Sequence, residues 1–128
     1  MPCTFNHSIL AARDREVSAA FFRHVLEAAE APSWGPFTNV LLDGGVMIQF
    51  ADLSVEEHPE IQPQHYAFLV DDALFDRALA KLDTDGTAYW ADPQRTRPGE
   101  INHEHGGRGV YFCDPAGHYL ELITQPYL

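Results

Sequence analysis

A chain of 128 residues, 45% hydrophobic and 12% aromatic, is long enough to bury one ordinary core and reads as a single domain over residues 1–128. Nineteen acidic residues against eight basic ones leave a formal charge of −11, which repels phosphate backbones and anionic lipid and so excludes nucleic acid and membrane surfaces as expected partners. There is no long apolar stretch and no charged leader followed by one, and Cys3 and Cys113 are too few for a disulfide framework; a cytoplasmic protein with ordinary buried thiols is expected.

In chain order, "FNHSILA" reads as a strand, Asp14 as a helix N-cap, and "REVSAAFFRHVLEA" as the amphipathic helix that follows. The apolar runs "FTNVLL" and "GGVMIQFAD" are separated by Asp-Gly-Gly, a hairpin signal. Sliding the sequence by 58 residues then sets His7 on His65, Asp14 on Asp72, Ala20 on Ala78 and Phe21 on Leu79. The second copy reads "QHYAFLV", an N-capping aspartate, "ALFDRALAKL", then the strands "GTAYWAD", "GVYFCD" and "HYLELIT". Near the ends of the copies the offset becomes 72, setting Gly45 on Gly117 and Gln49 on Glu121. The difference, 72 − 58 = 14 residues, falls in the polar loop "PQRTRPGEINHEHGGRG". Two β-α-β-β-β modules, about 4–53 and 62–126, are expected. Each is too small to be stable alone, so they should share an α+β core with a concave mixed sheet inside and helices outside.

The repeat relates four polar strand positions: His7, Gln49, His65 and Glu121. Side chains alternate along a strand, so these four share the face opposite the apolar Ile48, Phe50, Tyr66, Phe68, Leu120 and Leu122. A carboxylate in the middle of "HYLELIT" is costly to bury unless it is paired, protonated or bound to metal. Two imidazoles and a carboxylate form a facial metal triad, with Gln49 as a weak further ligand or substrate contact. His103 and His105, in the inserted loop, are candidate acid–base groups on a lid over that site. Arg95, Arg97 and Arg108 are three of only eight basic residues, and they suit an anionic small molecule. Trp90 and Tyr111 are candidate pocket walls, whereas His24, His58 and His118 are read as structural or solvent-exposed.

The stretches "NHSILAARD", "HYAFLV" and above all "GVYFCDPAGHYLEL" resemble the vicinal oxygen chelate superfamily, which includes glyoxalase I, extradiol dioxygenases, fosfomycin-resistance transferases and bleomycin-resistance proteins. The resemblance covers nearly the whole chain. It implies metal ligands at His7, His65 and Glu121, a divalent ion such as Fe(II), Mn(II), Zn(II) or Ni(II), and a homodimer, with the ligands of each site drawn from one chain or from two. Glyoxalase I would carry a ligating glutamate where Gln49 stands, and fosfomycin transferases a serine where Gly109 stands. Bleomycin-binding members lack the triad and sequester a drug without catalysis. The two-histidine, one-glutamate set fits the dioxygenases best, which implies dioxygenase-like chemistry; the alternatives are a glyoxalase- or transferase-like enzyme and a non-catalytic drug- or metabolite-binding protein.

Overall fold

In the computed structural model, which describes residues 2–53 and 60–128, each half of the chain passes from a strand to a helix through an aspartate cap. Asp14 accepts from the backbone N–H groups of Glu16 and Val17 and so starts helix α1 (Arg15–Val25), directly after strand β1 (His7–Ala12). Strands β2 (Ala29–Glu30), β3 (Phe37–Leu41) and β4 (Met47–Asp52) complete the first unit, Met1–Gln62. The expected Asp-Gly-Gly reversal is a short 3-10 turn at Asp43–Gly45; Gly44 and Gly45 hold φ of 82° and 81°, which glycine adopts without the Cβ penalty.

The sheet order is β1-β4-β3-β2, with β1 parallel to β4 and the remaining pairs antiparallel. Helix α1 packs on β1, β3 and β4. Its Ala19, Phe22 and Val25 are buried, as are Leu10, Val40, Ile48 and Phe50 on one parity of the strands. Phe22 meets Phe50 edge to face at 4.9 Å between centroids. The other parity carries His7, Asn39 and Gln49, because Asn39 pairs with Gln49 and Gln49 with Ile9.

The second unit, Pro63–Leu128, repeats the plan with β5 (His65–Leu69), helix α2 (Asp72–Asp85), β6 (Tyr89–Trp90), β7 (Gly109–Cys113) and β8 (Tyr119–Ile123). Its sheet order, β5-β8-β7-β6, is the same with β5 parallel to β8. The protein is therefore α+β, two four-stranded mixed sheets with one helix each. The cap of α2 is Asp71, whose side chain accepts from Leu74 N–H at 2.8 Å, and not Asp72, which the 58-residue offset had aligned with Asp14. Strict repeat arithmetic misses by one residue here, and Asp72 is free to serve Arg108 instead. Among the described residues no helix is long and apolar enough to cross a membrane. His58 lies outside them.

Candidate functional site

Strand register brings the site in the second unit together. His65 pairs with Tyr119, Ala67 and Tyr111 both pair with Glu121, and Trp90 pairs with Tyr111. Alternation then sets His65, Trp90, Tyr111, Cys113, Tyr119 and Glu121 on one face, the one opposite the buried Val110, Phe112, Leu120 and Leu122. Glu121 is 3% exposed and is the carboxylate that the apolar strand had made conspicuous. His65 Nε2 lies 3.2 Å from Glu121 Oε1, and His65 Nδ1 lies 3.1 Å from the Tyr119 carbonyl oxygen. The Tyr111 ring stacks on the imidazole at 6.3 Å and 24°.

The other oxygen of Glu121 is held from outside the sheet. Tyr127, beyond β8, donates its hydroxyl to Glu121 Oε2 at 2.5 Å. Tyr111 lines the same wall, and its phenol is pushed well above the ordinary tyrosine value, first by burial and then by the neighbouring Tyr127 and Glu121. The bond to Glu121 raises the Tyr127 phenol as well. Both phenols therefore remain protonated donors at neutral pH.

These groups wall a cavity of about 350 Å³ that His65, Glu121, Trp90, Arg95, Tyr111, Tyr119, Cys113 and Tyr127 help to line. Its walls are largely aromatic, with a few convergent polar groups, as small-molecule sites are. Arg95, in the left-handed region at φ 60°, sets its guanidinium over the Trp90 ring at 5.7 Å and over the Tyr119 ring at 5.2 Å. It pairs with no carboxylate among the described residues.

Arg97 and Arg108, expected on the substrate side with Arg95, lie elsewhere. Arg97 is exposed, and its backbone N–H is tied to Asp92 Oδ1 at 3.0 Å. Arg108 is committed to α2: it reaches Asp76 at 2.7 Å and Asp72 at 2.9 Å and covers the Phe75 ring at 4.5 Å. Cys3 is exposed rather than buried, while Cys113 faces the cavity with its thiol pushed up by burial, Arg95 pulling the other way. His103 is exposed at the start of a 3-10 turn, Glu104–Gly106. His105 stacks face to face on Tyr127 at 3.9 Å and 21°, so the loop histidine meets the Glu121 cluster through a phenol. Sequence reading did not single out Tyr127; "ITQPYL" has a proline and a tyrosine past a strand end, with no periodicity to mark the tyrosine.

In the first unit, Gln49 is buried and His7 is exposed, its Nδ1 2.7 Å from Asn6 Oδ1. Among the described residues no three His, Cys, Asp or Glu side chains group as a metal site. What the second unit offers is a pair, one imidazole nitrogen and one buried carboxylate oxygen 3.2 Å apart on a cavity wall, and this donor chemistry fits two ligands of a divalent ion.

Fold and site together define a protein of the vicinal oxygen chelate kind. The family model described as "Glyoxalase/Bleomycin resistance protein/Dioxygenase superfamily" matches residues 4–122, and the chain belongs to that family. Among solved structures it is similar to Oxidase ChaP-H2, with 46% identity, a TM-score of 0.92, and 99% of this chain and 97% of that chain covered. Oxidase ChaP-H1 is similar at 46% identity and a TM-score of 0.89, with 98% of each chain covered. Glutathione transferase FosA of Serratia marcescens is 29% identical over 125 residues, 93% of this chain and 79% of the relative.

Proposed function

We propose that this chain is a metal-dependent enzyme that oxidises a small, aromatic, oxygen-bearing molecule by dioxygenase-like chemistry, with the ion held by His7, His65 and Glu121. The observation that carries the reading is the His65–Glu121 pair, with the carboxylate buried on the wall of an aromatic cavity. Likeness at 46% identity over nearly the full chain to two proteins named as oxidases supports the oxidative class. A divalent ion held there would supply Lewis acidity toward the substrate's oxygens. The chain's own part is to orient and to exclude water. Trp90, Tyr119 and Tyr111 flank a flat substrate, the Tyr111 hydroxyl is a protonated donor beside Glu121, and Arg95 attracts an anionic or strongly polarised oxygen.

A thiol-transferase reading draws on the FosA likeness, but Gly109 argues against it. A Cβ at that position would stand 2.7 Å from Asn102 Oδ1 and 2.9 Å from Nδ2, so the serine that the resemblance implies for fosfomycin transferases would have to displace the Asn102 side chain. A homodimer completing the site is part of the proposal; Phe5 and Ile9, which flank His7 in sequence, are 62% and 52% exposed, an apolar surface that a second copy would cover.

Metal analysis of protein purified without added metal should find a stoichiometric divalent ion. By calorimetry, His7→Ala, His65→Ala and Glu121→Gln should each abolish that binding, while Gln49→Ala only weakens it. Parent-like binding by all four variants would remove the triad and favour a non-catalytic binding protein.

A further inference from the structure

We infer that Tyr127 is the positioning residue of the metal site, holding Glu121 Oε2 so that Oε1 is the oxygen presented toward His65. The inference rests on the metal reading above and adds a residue that neither the fold nor the ligand set names. Glu121 emerges from the middle of β8 with three rotatable side-chain bonds, and a carboxylate so placed presents either oxygen, or both, unless something anchors it. Two contacts do so, from opposite directions. His65 Nε2 lies 3.2 Å from Oε1, and the Tyr127 hydroxyl donates to Oε2.

Tyr127 is itself held. Its ring lies flat against His105, 3.9 Å away at 21°. His105 thus seats Tyr127 and Tyr127 seats Glu121, while the Tyr111 ring stacks on His65. The inserted loop thus acts on the site through a phenol, with no imidazole of its own at the reacting centre. Hydrogen-bonded partners of this kind fix the orientation and basicity of a ligating carboxylate, and their removal typically weakens metal binding about 10–100-fold.

The test uses Tyr127→Phe, which keeps the ring against His105 and deletes only the hydroxyl. Metal-free parent and variant are titrated with Mn(II), and with Zn(II) in parallel, by calorimetry. Infrared difference spectra on metal addition are recorded alongside, and ¹³C labelling of glutamate marks the Glu121 band, Glu121 being the only glutamate in the proposed ligand set. Weakening of about 10–100-fold in Tyr127→Phe, together with a shift of that band, is the expected result. A merely structural tyrosine would leave the band in place. Parent-like affinity in Tyr127→Phe, or an unmoved Glu121 band, overturns the positioning role while leaving the metal site standing. Failure of the parent to bind either ion overturns both at once, which distinguishes the two failures.

Discussion

Asp114 is the carboxylate that closes the turn between β7 and β8, and its two oxygens have different surroundings. Oδ1 accepts from the backbone N–H of Ala116 at 3.0 Å and of His118 at 2.8 Å, while Oδ2 is buried without a hydrogen-bond partner. Burial raises the pKa above the ordinary 3.8, with the His118 N–H bond and the nearby His118 ring pulling the other way. The folded chain therefore holds this proton more tightly than the unfolded chain. Its contribution to stability is fully present below the ordinary value and is lost as pH rises through the raised one. Replacing Asp114 with Asn keeps an acceptor at Oδ1 but leaves a buried amide NH₂ without a partner, at a cost of about 1–3 kcal/mol. Urea unfolding at several pH values from 4 to 7 should show the parent's advantage over Asp114→Asn shrinking as pH rises; an advantage that grows with pH would reverse the sign argued here. The turn itself was readable in "DPAGH", since Asp-Pro-x-Gly has few alternatives. The orphan oxygen was not, because it depends on what packs over the turn.

The loop between β6 and β7 stood out in the sequence as 14 extra residues, rich in proline and glycine, and was expected to act as a lid. Two side chains order it. Asp92 accepts from Thr96 N–H, Thr96 hydroxyl and Arg97 N–H, and the buried Asn102 donates from Nδ2 to the Ala91 carbonyl at 2.8 Å while its Oδ1 accepts from Glu104 N–H at 3.2 Å. Backbone bonds in both directions between Asn102 and Gly109 close the loop onto the start of β7. Gly109 is glycine because of this close approach and not for its φ, as the Asn102 side chain stands where a Cβ would go. Gly109→Ala should destabilise the protein by about 1–3 kcal/mol through this overlap, and the same substitution should cost less in an Asn102→Ala background, itself destabilised by two lost hydrogen bonds, because the methyl then has room. Denaturant midpoints of the two single variants, the double variant and the parent decide it; equal stability of Gly109→Ala and parent would mean the loop yields freely.

At the scale of the whole molecule, the proposed ligand set poses the question of whose His7 serves the site, that of the same chain or that of a second copy. If two chains share sites, mixing His7→Ala with Glu121→Gln creates heterodimers in which one site lacks both ligands and the other has a full set. Calorimetry after verified subunit exchange should then show recovered binding of a divalent ion in a fraction of sites; no recovery would assign each site to a single chain. The sequence by itself determined the two β-α-β-β-β units, the shared parity of His65 and Glu121, and the conspicuous burial of a mid-strand carboxylate, because alternation, aspartate capping and turn chemistry act over a few residues. Only the tertiary structure decided that Tyr127 takes the second oxygen of Glu121, that Arg108 is spent on Asp72 and Asp76 while Arg95 stays on the cavity wall, and that His105 meets the cluster through a ring stack. Each of these contacts joins segments whose separation in sequence carries no period, and their geometry exists only once the strands have set the register between them.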